Sequence, residues 1–427
     1  MLDISLIRNN PELIRQDLTK RGQKEKISLL ESAISADLKW RVLKQQIDDL
    51  RRSRNILTKE IQEKLMLSEK PTSLIRDAKE IPQKIKKAEA KQRLLSEEIS
   101  NNLLCLPNLL NSSVPKGFDD SDNVVIATHG KKTKPKFVLK NHAELAVDLG
   151  LADFERAAKI SGAGFYFLKS DLVLMDFALQ LYATELLSKK GFIPLLPPYV
   201  MRHSLYTKVT DLEMFKEQLY TSDEDMHFIA TSEHPIAAMH SNEIIPEDQL
   251  PLKYCGISPC FRKEVGKHSI DEKGLFRVHQ FNKVEQFVFC KPENSWKIME
   301  DLSSNAQLLL KKLKIPYSVT NVCTGDIGNI AAKKYDINGW SPREEKYIEL
   351  VSCSNCTDYQ SRALNTKLRR KTNDKEFVHT LNSTMVATTR MLRLIIEHYQ
   401  TNKGTLKVPL VLRKYLSGKK ELKQAFK

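Results

Sequence analysis

No apolar run in the 427 residues approaches the roughly 18 that a membrane-spanning helix requires, so a transmembrane protein is not expected. The start, MLDISLIRNNPELIRQDL, also lacks the charged-then-apolar layout of a secretory leader. Cysteine is scarce and odd in number: Cys105, Cys255, Cys260, Cys290, Cys323, Cys353 and Cys356 make no obvious disulfide framework in so long a chain. These absences together place the chain in a reducing cytoplasm. Acid is in deficit as well, with 53 acidic against 68 basic residues, a net charge of +15 and a pI near 9.3. That balance favours an anionic partner such as nucleic acid over a neutral one. With 41% hydrophobic content the chain still has enough apolar material for a sizeable core, and its length fits two or three domains.

What is present divides the chain. Residues 1–27 read as a small cap, with Asn10-Pro11 ahead of a short amphipathic helix. From Leu29 onward apolar or small residues recur at 29, 33, 36, 40, 43, 47 and 50, then Arg54, then 57 and 61. That 4/3 alternation is a coiled-coil seam. After a break at 68–72 it resumes at 74, 78, 81, 85, 88, 92, 95 and 99. Two helices of roughly 45 to 55 Å therefore fold back on each other. A hairpin that long cannot be covered by a globular core and should project into solvent, with Lys39, Lys44, Arg51, Arg52, Lys84, Lys86, Lys87, Lys91 and Arg93 outward. A spacer or dimerising coiled coil would show the same pattern. Arg54 and Gln92 at seam positions suit register fixing, and Pro82 should kink the second helix or free a carbonyl. Residues 104–122, LCLPNLLNSSVPKGFDDSD, read as a linker, which sets domain limits of 1–106, with the arm at about 29–103, and 107–427.

The densest chemistry lies between Cys260 and Glu285, CFRKEVGKHSIDEKGLFRVHQFNKVE. Two extended runs, 260–265 and 275–288, flank a polar loop at 266–274, the pattern of a long hairpin. Arg262, Glu264, Arg277, His279 and Glu285 sit among β-formers, several at even spacings that share a face. Two arginines suit a phosphate and a carboxylate, Glu264 can accept from an exocyclic amine, and Phe281 offers a ring for a base. A hairpin that merely makes surface ion pairs would use the same residue types. The whole string, F-R-x-E and then G-L-F-R-V-H-Q-F-x-K-V-E, resembles motif 2 of the class II aminoacyl-tRNA synthetases, most closely the seryl-tRNA synthetases.

Other stretches carry the same resemblance. Asp171–Lys190 has Leu174, Phe177, Ala178, Leu181 and Leu187 along one broad helical face, followed by Gly191-Phe192, a strand and Pro197-Pro198. It is similar to motif 1, which in the family builds a dimer interface, although a buried core helix has the same pattern. Thr231-Ser232-Glu233 before His234-Pro235 reads locally as a capped helix start, and resembles the family's T-x-E loop for the amino group of serine. In YIELVSCSNCTDYQ, from Tyr347, Glu349 and Ser352 reach one region if the strand bends after Leu350, and such a hard oxygen pair suits Mg²⁺. Thr380–Gln400 resembles motif 3, with Arg390 in a first helical turn, where a cation opposes the helix dipole unless an anion meets it. Ala387, Thr388 and Thr389 replace the usual glycines, a form closer to eukaryotic and archaeal members.

The resemblance implies an α+β fold: an antiparallel-sheet class II synthetase catalytic domain with an N-terminal antiparallel two-helix coiled-coil arm. It implies serine activation by ATP and transfer to tRNA(Ser), with tRNA(Sec) left open, in a cytoplasmic homodimer with no membrane partner. Arg262, Glu349 and Arg390 are the expected catalytic residues. Thr231, Glu233, Arg262, Glu285, Asn382 and Thr384 would form the serine pocket. ATP would meet Arg262, Glu264, Arg277, Phe281, Glu349, Ser352 and Arg390, with the base between Phe281 and Arg390 and Mg²⁺ on Glu349 and Ser352. Lys44, Arg51, Arg52, Lys84, Lys87 and Lys91 would meet tRNA. Zinc through Cys353 and Cys356 with Cys255 and Cys260 approaches ligand spacing, but those cysteines fall in strings that the family carries without zinc, and none is expected. A non-catalytic RNA-binding relative would not need Arg262, Glu264, Glu285, Glu349 and Arg390 together, and a ligase for a carrier protein would lack the arm.

Overall fold

A computed structural model describes residues 1–132, 134–212, 216–222, 224–264 and 274–424. The chain divides into two compact units, Met1–Pro107 and Asn108–Lys427.

In the first unit, Asp3 and Asn10 cap α1 (Ile4–Asn9) and α2 (Pro11–Lys20) by accepting from Ser5 N and Leu13 N. Pro11 opens α2, where its missing N–H is no loss. Arg8 grips the buried Asp37 carboxylate with two bonds of 3.0 and 2.6 Å, which ties α1 to α3 (Ile27–Met66). The chain then turns back into α4 (Thr72–Cys105), which packs along α3. The seam lies where the spacing placed it: 33, 36, 47, 81, 85 and 99 are buried, and 40, 43, 50, 57, 74, 88 and 95 are half-buried. Ile47, Ile81 and Ile85 form an apolar cluster, with Leu50, Leu57 and Ala88 against it. Arg54 departs from expectation, because it is exposed and fixes nothing inside. On a seam only two helices wide, a guanidinium reaches water along its own stem. α4 continues through the exposed Pro82, so the Ala78 carbonyl lacks its usual donor.

The second unit begins with the stretch expected to be a linker, but α4 includes 104 and 105, and from Asn108 the chain is tied down. Asn108 is buried and its amide donates to the carbonyls of Ile330 and Cys356, while Asn111 N donates to Ala332 O at 2.9 Å. An eight-stranded sheet follows in the order β1-β5-β6-β7-β8-β4-β3-β2. The strands are β1 (Val124–His129), β2 (Ile193–Leu195), β3 (Leu252–Phe261), β4 (Gln280–Cys290), β5 (Tyr317–Asn321), β6 (Lys333–Ser341), β7 (Lys346–Thr357) and β8 (His379–Ala387). All neighbours run antiparallel except β2 and β3.

Three helices, α5 (Asp171–Ser188), α7 (Ser295–Lys312) and α8 (Thr388–Tyr399), cover one face of the sheet and enclose the main core. They are separated in sequence by the short α6 (Glu233–Ala238). On α5 the sequence reading merged two faces. Ala178 and Leu187 are buried, whereas Leu174, Phe177 and Leu181 are exposed.

The motif 2 hairpin is shorter in strand than expected. Its ladder ends with Phe261 opposite Gln280 and a last bond from Arg262 N to His279 O at 2.9 Å. The charged residues on either side leave the ladder and present their side chains off it. Most of the 266–274 loop, with Val265, lies outside the described residues. In motif 3 the strand runs to Ala387 and Thr388 already begins α8, with no loop between them.

Candidate active site

The opposite face of the sheet holds a cavity of about 370 Å³. Its floor follows strand parity. On β4, Phe281, Lys283 and Glu285 alternate into the cavity, and Phe287 and Phe289 on the same face continue into a second apolar core. On β8, Asn382 and Thr384 do the same. There the register shifts between Thr384 and Val386, so Met385 and Val386 both enter the main core and Ala387 faces the cavity.

A like shift on β7 carries more chemistry. Glu349 pairs with Asn338 and Val351 with Ile337, leaving Leu350 as the extra residue. In a regular strand Glu349 and Ser352, three apart, would point to opposite faces. The bulge brings both to the cavity, together with Ser354 and Cys356. This is the bend after Leu350 that a shared role requires. Beside them Asp336, cross-strand from Ser352, keeps one buried carboxylate oxygen without a donor.

The walls come from loops and helix starts. Thr231, one residue before the N-cap Ser232 of α6, accepts from Glu233 N at 3.2 Å, so its hydroxyl meets the first helical amide while lining the cavity. Arg262 and Glu264 follow β3, and Arg390 stands in the first turn of α8. Most charges here are already paired. Glu264 holds Arg277 at 3.0 Å, Glu349 holds Arg390 at 3.4 Å, and Glu285 holds Lys283 at 2.7 Å. Thr384 Oγ1 donates to the same Glu285 oxygen at 3.2 Å.

Two of the expected site charges are left over. Glu233 accepts only amide donors, Gln360 at 3.2 Å and Asn382 at 3.0 Å. Arg262 stacks 5.3 Å from the Phe281 ring centre and donates to Ala230 O at 3.3 Å. Among the described residues neither has an ionic partner. One cavity therefore offers a carboxyl and a guanidinium, neither held in an ion pair, the complement of a zwitterion. Burial, and then the nearby Glu285, push the Glu233 carboxyl up to about 7. Burial would also raise Glu349, but Arg390, Lys334 and Arg262 outweigh it and hold that carboxyl below its ordinary value. Burial pushes His234 down to about 3, leaving a neutral ring 2.9 Å from the Tyr206 hydroxyl.

Some expected residues lie elsewhere, and others were missed. His279 stacks on Phe165 and bonds the Tyr220 hydroxyl at 2.6 Å. Arg277 is Glu264's ion-pair partner, outside the cavity lining. The cation over Phe281 is Arg262, and Arg390 lies 5.2 Å from Phe276, a lining residue that the sequence reading passed over. Lys283 was missed too, although it stands two residues before Glu285 on the same face.

Cys255 and Cys353 are in the main core, Cys260 packs with Val278, Phe281 and Ala387, and Cys356 meets the Asn382 amide at 3.6 Å. Burial raises the thiol of each of these four. Among the described residues the one group of metal-ligating type is His203, Asp225 and His227, and its two rings already bond each other at 2.8 Å.

On the arm all six expected cations are exposed. Lys44, Arg51 and Lys84 pair with Asp48, Glu89 and Glu80, whereas Arg52, Lys87 and Lys91 have no ion pair among the described residues. No described helix is long and apolar enough to cross a membrane.

Residues 1–110 match the seryl-tRNA synthetase N-terminal domain, and residues 215–399 match the class II tRNA synthetase core domain for G, H, P, S and T. The chain is 52% identical to the serine--tRNA ligase of Methanoregula boonei over 99% of its own length and all of that protein's. It superposes on the seryl-tRNA synthetase of Pyrococcus horikoshii complexed with ATP with a TM-score of 0.94 at 43% identity, covering 100% of both chains. Against the cytoplasmic enzyme of Naegleria fowleri in complex with AMP the TM-score is 0.88 at 35% identity, over 100% and 99% of the two chains.

Proposed function

The chain belongs to the seryl-tRNA synthetases, and from that premise we propose how its residues divide the work of a serine--tRNA ligase. The enzyme binds ATP, activates L-serine as seryl-adenylate with release of pyrophosphate, and passes the seryl group to tRNA. The leftover pair of opposite charges carries the residue assignment. Glu233, with Thr231, takes the serine ammonium, and Arg262 takes the carboxylate and the α-phosphate. Glu285 and Thr384, with Asn382 beside them, meet the side-chain hydroxyl. Phe281 supplies the face for adenine, Glu264 accepts from its amine, and Arg390 leaves Glu349 to meet the γ-phosphate. Arg277 orients Glu264.

The chemistry asks for no protein nucleophile. The serine carboxylate attacks the α-phosphorus, and the ribose hydroxyl of the tRNA end then attacks the acyl carbon. Position and fixed charge lower both barriers. Glu349 and Ser352, brought together by the Leu350 bulge beside the donor-free oxygen of Asp336, fit Mg²⁺. When bound there, the ion would neutralise phosphate charge.

The same reading makes the enzyme a cytoplasmic homodimer. The exposed apolar side chains of Leu174, Phe177 and Leu181 on α5, and of Ile193 and Leu196 after it, support it. It gives the 1–106 domain to tRNA(Ser) and the 107–427 domain to catalysis, with Arg52, Lys87 and Lys91 as the arm's available cations, while Lys44, Arg51 and Lys84 would exchange a carboxylate for phosphate. Deleting residues 29–103 tests the division. Serine-dependent pyrophosphate exchange should remain within a few-fold of wild type, while tRNA charging falls by on the order of 10³ as the phosphate contacts go. A folded truncation that loses exchange as severely as charging refutes it.

A further inference from the structure

We propose that Lys283 is a positioning residue of the serine pocket, holding Glu285 as an oriented anion so that its second oxygen can accept only from a substrate hydroxyl. The inference rests on Glu285 reading that hydroxyl. Lys283 is 6% exposed and Glu285 1%. A buried ammonium is costly unless an anion meets it, and this one meets Glu285 Oε2 at 2.7 Å. Its cross-strand neighbours, Ser258 and Ala387, carry no charge.

An ion pair kept only for stability has no reason to face a cavity. This pair lies on the cavity side of β4, while the intervening Val284 points into the main core. Both donors, Lys283 and Thr384, sit on Oε2, so Oε1 is the oxygen a substrate would meet.

The pocket's second carboxyl, Glu233, is met by the Gln360 and Asn382 amides, whereas the lysine is bonded to Glu285. Lys283 fixes which oxygen of Glu285 faces the ligand, and a carboxylate held that way has an acceptor to fill and no hydrogen to offer, so a ligand without a hydroxyl leaves it unsatisfied.

The test is a double-mutant cycle on the full-length enzyme, read by pyrophosphate exchange with serine and with alanine at pH 8. Lys283→Met should lower serine kcat/KM by about 30-fold or more and alanine kcat/KM much less, so that the preference for serine shrinks by about tenfold or more. Lys283→Arg, which keeps the charge, should retain the wild-type preference. Added to Glu285→Gln, Lys283→Met should cost nothing further, because the lysine has lost the group it acts through. The proposal is overturned if Lys283→Met costs about tenfold more in the Glu285→Gln background, or if Lys283→Met alone keeps the wild-type preference for serine over alanine. Should Lys283→Met fail to fold, the neutral double variant set against Glu285→Gln decides. The pocket assignment fails separately, if Glu285→Gln depresses serine and alanine activation equally.

Discussion

With Glu233 as the proposed partner of the serine ammonium, serine binding is expected to be a proton-linked event. The carboxyl is buried among amide donors, faces Glu285 and is pushed up to about 7. At pH 6 roughly nine molecules in ten then carry a proton there, and at pH 8 roughly one in ten. An arriving ammonium favours the charged form and returns the carboxyl toward its ordinary value of 4.5. Serine affinity should therefore fall about tenfold for each pH unit below 7 and level off above it. Close to one proton should leave per serine bound at pH 6, and about a tenth of one at pH 8.

Calorimetry of serine binding in two buffers of different ionisation enthalpy measures that proton directly, and KM for serine in pyrophosphate exchange gives the affinity trend. ATP binding is the control. Glu233→Gln should abolish the proton release, flatten the profile and weaken serine at pH 8 by about 10- to 100-fold, the worth of a charge-assisted bond. A serine affinity constant from pH 6 to 8 with no proton released would refute the reasoning, and with it Glu233 as the ammonium partner.

Two further outcomes are expected. Phe177→Lys puts a charge into the exposed apolar face of α5, and by ultracentrifugation should weaken the proposed homodimer by on the order of 10²-fold or more, as loss of a central apolar anchor does; a monomeric wild-type enzyme would refute the homodimer, and a variant that associates as wild type does would refute this interface. Chelating Mg²⁺ should abolish pyrophosphate exchange, while a zinc-selective chelator leaves it intact, and stoichiometric zinc by elemental analysis of active enzyme would contradict the assignment of hard oxygen ligands at Glu349 and Ser352.

Most of the arm's seam was readable because one physical rule governs it, although Leu30, beside the expected Leu29, is the residue buried there. A two-helix hairpin can bury only its seam, so the 4/3 spacing of apolar side chains and the burial pattern are the same information. Arg54 broke the rule because a long cation on so thin a structure does not have to be buried. The catalytic unit was harder. Leu174, Phe177 and Leu181 look like core residues by composition, and a single chain cannot say that a helix has two apolar faces, one inward on its own sheet and one outward. The stretch at 104–122 has the composition of a free connector, yet Asn108 is held by carbonyls of residues more than two hundred positions away, which no local pattern contains.

The site itself turns on strand parity and on where parity fails. Phe281, Lys283 and Glu285 could have been grouped by period alone, and the omission of Lys283 came from weighing residue types above alternation. Glu349 with Ser352, and Thr384 with Ala387, cannot be grouped that way, because each pair is an odd number of residues apart. Both are brought together by one extra residue, Leu350 or Met385. In each case the extra residue and its successor are apolar and both enter the main core. Two consecutive core-seeking side chains in a strand with one buried face cannot both be satisfied by a flat pleat. A bulge satisfies them, and in doing so turns the next residue, Ser352 or Ala387, toward the cavity. The same local conflict that lets Leu350 and Val351 pack therefore places Ser352 beside Glu349, so replacing Leu350 by a polar residue removes the reason for the bulge and separates the two oxygens from which a cation would be held.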